Sequence, residues 1–277
     1  MTTAAIPATP ARTRAVPPAS GRPGLRGALR SELTKIRSVR STYWTLLAQA
    51  VASIAWAVLD CAGVVSHGAG PGFSATEASL TGQVFLGELI IVVLGALVIT
   101  SEYSTGMIRT SLAVMPRRGV LYAAKAIVFA SVTLTISLVT SFVDFFVGQA
   151  ILSSKHYNTT LGHPGVLRAI LLTAAIAAIF GLLAYGAAAI IRHSAGAITS
   201  ILGIVFLIPL LGQALPNAWF ADLQRWLPGG GALEPIARST TPLDPHLFSA
   251  WGEFAVFSSY AVVLLALGAW SFIRRDA

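Results

Sequence analysis

The chain has 277 residues, 55% of them hydrophobic and only 11% charged, with a mean hydropathy of +0.74 and a formal net charge of +8. A soluble domain carries about a quarter charged residues, so the composition excludes an ordinary water-soluble globule and fits a chain whose main solvent is lipid. The single cysteine, Cys61, excludes an internal disulfide and a cysteine-rich metal site. The positive charge flanks apolar stretches, where it sets topology, so no nucleic-acid partner is expected.

Residues 1–24 hold five prolines and three arginines with no acid and no apolar period, which predicts a disordered basic tail. The tail lacks the compact apolar region of a secretory signal, so the first span is expected to be an uncleaved anchor. From Leu25 the pattern changes. Leu25, Leu29, Leu33 and Ile36 form one apolar stripe, with Arg26, Arg30, Lys35 and Arg37 largely off it. That spacing predicts an amphipathic helix over 25–42 lying on a membrane surface and drawn to anionic lipid.

Six apolar stretches follow, at about 43–65, 81–100, 120–147, 166–190, 196–215 and 251–273. Each is near the roughly 20 residues needed to cross about 30 Å of hydrocarbon. The expected fold is therefore all-α, with residues 43–277 forming a six-helix transmembrane domain. Pro209 should kink or shorten the fifth span. In the fourth, Ala177, Gly181, Ala184 and Ala188 give small-residue spacing that allows close helix approach.

The even number of spans places both termini on one face. With that face cytoplasmic, fifteen arginines and lysines fall inside and only Lys155, Arg168, Arg225 and Arg238 outside, the distribution that fixes orientation. Two loops are more than connectors. The inner loop, 101–118, carries Met107, Ile108, Leu112 and Met115 at helical spacing before Pro116 stops the run. The outer loop, 216–250, contains an amphipathic stripe of Trp219, Phe220, Leu223, Trp226 and Leu227 that should lie in the interface or dip back into the membrane.

No P-loop, zinc-protease motif or nucleophile elbow is present, and the five histidines are scattered. No enzymatic activity and no cofactor is expected of this chain. Three acids sit near or inside spans, where an ionised group costs about 2.5–3.5 kcal/mol on insertion scales. Asp60 fits interface placement. For Glu88 and Asp144 two readings stand: polar groups of a translocation path or a proton site, facing each other from neighbouring spans, or headgroup and interhelix contacts.

The stretch SELTKIRSVRSTYWTLL, Ser31 to Leu47, resembles the start of actinobacterial ABC-2-type transporter permeases. ITSEYSTGMIRTSLAVMPRRGVLYAAK, Ile99 to Lys125, resembles the loop between their second and third spans, with its Glu-Tyr-x-x-Gly pattern. The resemblance implies a permease, usually an exporter, in a bacterial plasma membrane. It implies a separate cytosolic ABC ATPase subunit and a second permease copy, with a homodimer favoured. It also implies that the inner loop is a coupling helix, with Glu102, Tyr103, Gly106 and Arg109 at or beside the ATPase contact, and that the 25–42 helix leans on the same partner. Two alternatives stay open: a sensor or immunity subunit of the same family that moves no cargo, and a proton-coupled secondary transporter using Glu88 or Asp144.

Overall fold

The computed structural model describes residues 24–70, 72–208, 210–211, 226 and 249–274. Among these the regular structure is entirely helical. α1 is Leu25–Ser38 and α2 is Arg40–His67. α3 runs Ala75–Ser104, interrupted by a π-helical turn at Gln83–Gly87. α4 is Met107–Val114, and α5 is Arg118–Leu152, which tightens into a 3-10 turn at Ser153–Lys155. α6 is Val166–Ile191, α7 is Ser194–Leu207 with a π-helical last turn, and α8 is Ala250–Arg274.

Five of these helices, α2, α3, α5, α6 and α8, are long and apolar enough to cross a membrane. They match five of the expected stretches but run past them at most ends. α3 starts six residues before the predicted span because Ser74 caps it, accepting a hydrogen bond from the Glu77 N–H at 3.3 Å. The fifth expected span, 196–215, is represented by α7 and by the helical residues Ile208, Leu210 and Leu211 beyond it. Pro209 and most of the rest of that stretch lie outside the described residues, as do the N-terminal tail and the outer-loop stripe apart from Trp226. The Trp226 carbonyl accepts a 2.7 Å hydrogen bond from the Tyr260 hydroxyl.

The boundary between surface helix and first span also shifts. The spacing predicts helix to residue 42, but Val39 adopts an extended backbone (φ −87°, ψ 105°) and divides α1 from α2. Its β-branched side chain suits that conformation. The elbow lets α1 take its own direction relative to α2.

α6 is the centre of the bundle. Of its most apolar window 67% is buried, against 22% for α2, so α2 spends most of its surface facing outward. α3 and α8 pack on either side of α6. Glycine makes the first of these contacts possible: a Cβ on Gly95 would collide with the Gly181 carbonyl, backbone against backbone. The small-residue spacing in the fourth span thus contains a true crossing point. Around it lies an aromatic core of Phe129, Phe180, Tyr185 and Phe257, all buried.

Candidate functional site

The end of the bundle that carries most of the arginines is where four sequence-distant segments meet. Glu32 and Lys35 come from one face of α1, Glu102 from the last turn of α3, Ser111 from α4, and Lys125 from the second turn of α5. Lys125 Nζ lies 2.7 Å from Glu32 Oε2 and 2.7 Å from Glu102 Oε1. Lys35 Nζ lies 2.8 Å from Glu32 Oε1 and 3.2 Å from Glu102 Oε1, and donates to Ser111 Oγ at 3.2 Å. The Glu32, Glu102 and Lys125 side chains are at most 5% exposed, while Lys35 is 34% exposed.

Two carboxylates and two ammoniums cancel, which is the condition for burying any of them. Each carboxylate bridges both lysines, so no single contact can break without leaving a buried charge short of a partner. The effect on titration is direct. Burial pushes the Glu32 carboxyl up, but Lys125 and Lys35 outweigh it and hold Glu32 below its usual 4.5. Burial pulls the Lys35 ammonium down, but Glu32 and Glu102 outweigh it and hold Lys35 above its usual 10.5.

The signs give a pH window. The depressed Glu32 stabilises the docked α1 fully above about pH 4.5 and loses that contribution as pH falls through its folded value. The raised Lys35 stabilises it fully below about pH 10.5 and loses that contribution as pH rises through its folded value. Protection factors of α1 amides, the exchange rates corrected for their intrinsic pH dependence, should therefore be highest between those limits and fall on both sides. In Lys35→Met the alkaline limb should shrink.

α4 rides on this cluster. It starts from Gly106, whose φ of +69° is a left-handed conformation that glycine takes without strain. The turn is closed by Thr105 N–H to Ser101 O and Gly106 N–H to Tyr103 O. α4 then buries Ile108 and Met115, half-buries Ser111 and Leu112, and exposes Met107, Arg109, Thr110, Ala113 and Val114. Val114 is 75% exposed, the most exposed large apolar side chain described. Arg117, just past the helix, is exposed as well.

The four residues expected at a partner contact separate into two kinds. Arg109 points outward and Gly106 shapes the turn. Glu102 and Tyr103 point into the protein. The Tyr103 ring lies 5.0 Å under the Arg192 guanidinium and 6.5 Å from Phe272, which joins the end of α3 to the ends of α6 and α8. Glu32, Lys35 and Lys125 were invisible as site residues to periodicity and charge counting. A composition signal existed all the same: Glu32 is the only acid before Asp60, and two of the chain's three lysines are Lys35 and Lys125.

Deeper in the bundle, α2, α3 and α5 share a second polar site. Gln49 Nε2 donates to Gln83 Oε1 at 2.8 Å, and Ser53 Oγ donates to Asp144 Oδ2. Gln83 belongs to the π-helical turn, a distortion frequent at functional positions. All four residues are completely buried. Gln49 Oε1, Gln83 Nε2 and Asp144 Oδ1 have no hydrogen-bond partner among the described residues, nor do Ser137 and Ser141 on the same face of α5. Each such group costs about 1–3 kcal/mol unless it is satisfied in use, so this seam is not there for stability. Glu88 is buried on the following turn of α3, and its Oε1 has no partner among the described residues either. No hydrogen bond joins it to Asp144. Asp60 lies at the far end of α2, half-buried beside a cleft of about 260 Å³ that Glu77 also lines.

Five apolar helices, a buried charge cluster at one end and a buried polar seam define a multi-pass helical membrane protein. Residues 28–212, two-thirds of the chain, match the family described as ABC-2 family transporter protein, and the chain belongs to that family. No curated protein matches the chain. The match spans α1 to α7, so it includes the charge cluster, α4 and the polar seam, and it makes an ABC transporter permease the general class of this protein.

Proposed function

We propose that the protein is the membrane-spanning permease subunit of an ATP-driven exporter, of actinobacterial type, in a bacterial plasma membrane. In this reading there are six spans, both termini are cytoplasmic, a second copy completes the pathway, and a separate cytosolic ABC ATPase supplies the energy. The observation that carries it is α4: a short helix whose exposed face combines Met107, Arg109 and Val114, fixed to the bundle by the charge cluster. An apolar, positively charged face on a rigid mount suits a protein groove with acidic walls. ATP-driven closure of an ATPase dimer would push on α4. The cluster would pass that displacement to α1, α3 and α5 together, shifting the bundle between two states. Glu88 and Asp144 are then polar groups of the pathway, where the unpartnered atoms of the seam meet hydrophilic parts of the cargo.

The test is the surface of α4. Arg109→Glu combined with Val114→Asp changes only exposed positions, so folding and melting temperature should be unchanged. Co-purification of a P-loop protein should fall tenfold or more, equal to about 1.4 kcal/mol of lost binding, and ATP-dependent flux in inverted vesicles should vanish. Full recovery of the ATPase with the double variant would remove α4 from the contact. A second reading rests on the unpartnered, buried Glu88, a secondary transporter. It predicts flux that needs no ATPase and collapses with the proton gradient, and that Glu88→Gln alone abolishes.

A further inference from the structure

Beside the charge cluster, on the outward-facing side of the bundle, α1, α2 and α5 enclose a groove of about 450 Å³. That is within the 300–1,000 Å³ range of small-molecule sites. Its walls are apolar: Leu33 and Ile36 from α1, Leu46 and Ala50 from α2, Ile136 and Val139 from α5. Leu33, Leu47 and Val139 are exposed there. The polar exception with a charge is Arg37, at the α1 edge of the groove. Arg37 is exposed and makes no ion pair among the described residues, and the exposed Arg40 follows just past the Val39 elbow.

We propose that this groove is a binding site for one anionic phospholipid, with an acyl chain between α2 and α5 and its phosphate on Arg37. Three observations support that occupant. The groove is apolar and partly open to the side, which suits a hydrocarbon chain. The one charged lining group is a guanidinium, the side chain best matched to a phosphate. The only acid of α1, Glu32, is turned away and neutralised by Lys35 and Lys125, so α1 presents Arg26, Arg30 and Arg37 to the headgroups without an opposing carboxylate, with Arg40 at the start of α2 beside them. A second copy of the chain fits less well. A two-fold contact across this groove would gather Arg37 and Arg40 of both copies into one interface with no acid among the groove's lining residues.

The site has a consequence for coupling, and this part rests on the reading given above. α1 is held between two things: the charge cluster on one face and the lipid slot, through Leu33, Ile36 and Arg37, on the other. Occupancy props α1 against the mount of α4, so anionic lipid should raise coupled transport without touching the ATPase.

Native mass spectrometry of the detergent-solubilised full chain tests the site without reference to transport. The probes are phosphatidylglycerol and phosphatidylcholine with identical acyl chains. The wild type should retain one phosphatidylglycerol per chain and prefer it about fivefold, the worth of one arginine beside an anionic surface. Arg37→Gln should lose that preference yet still retain a lipid. Ala50→Phe, which fills the groove from inside, should retain neither lipid while melting as the wild type does. Should Ala50→Phe fail to fold, Val139→Trp blocks the groove from its exposed edge and carries the same expectation. Equal binding of the two lipids by wild type, or undiminished phosphatidylglycerol binding in the filled variants, would overturn the proposal. So would a shift from dimer to monomer in the filled variants with lipid retention unchanged, which would make the groove an interface between copies. Loss of lipid preference with ATPase binding intact, or the reverse, separates this site from the α4 contact.

Discussion

Replacing Lys125 with alanine is expected to destabilise the protein by about 3–5 kcal/mol, the usual cost of removing one partner from a buried charge network. Lys125 is the only described cation within reach of both Glu32 Oε2 and Glu102 Oε1, at 2.7 Å each, and it is almost fully buried. Without it two carboxylates share one partly exposed lysine, Lys35, and like charges oppose each other in a poorly solvated site. The readout is the melting temperature in detergent together with labelling of a cysteine placed at Ala28, a fully buried position on the inner face of α1. Both should change at once, since release of α1 uncovers position 28. The triple variant Glu32→Gln, Glu102→Gln, Lys125→Met removes the three buried charges, leaves only the partly exposed Lys35, and should recover most of the lost stability. If Lys125→Ala alone left labelling at position 28 unchanged, the cluster would not be what holds α1.

Gly95→Ala carries the second large effect. The added methyl has nowhere to go, because what it meets is the Gly181 main-chain carbonyl rather than a side chain that can rotate away. α3 and α6 must separate, and overpacking of this kind costs about 1–3 kcal/mol. The damage spreads because Ile91 and Phe129 pack over Gly181 from the adjacent helices, so the central helix loses its fit on two sides. Gly63→Ala, where a new methyl meets nothing within 4 Å, is the control on an outward position and should be neutral. Comparing the two melting curves isolates the crossing from any general effect of glycine replacement.

The large-scale plan was legible because lipid solvation imposes a crude and strong code. Long apolar runs could be read as helices, and five of them are long enough to cross a membrane. The elbow at Val39 was not legible, since a single extended residue leaves no periodic trace between two helical patterns. The polar seam was half legible. Asp144 stood out as an acid in an apolar run, but Gln49, Ser53 and Gln83 look unremarkable one at a time, and only the packing of α2, α3 and α5 brings them together. The same holds for the charge cluster. The Glu-Tyr-x-x-Gly pattern singles out Glu102, yet its partners lie 67 and 23 residues away in sequence. Spacing rules reach along one helix and stop at its ends.

That separation also orders events on the ribosome. Glu32 is synthesised 93 residues before Lys125, an interval of roughly 5–20 s at 5–20 residues per second. Throughout it Glu32 has Lys35 as its one partner within the cluster, and the second lysine does not yet exist. α1 can therefore complete its docking on the charge cluster only when α5 arrives. Closure of the cluster marks a nascent chain whose third span has been inserted the right way round, because an inverted α5 would carry Lys125 to the opposite leaflet and leave Glu32 and Glu102 unpaired.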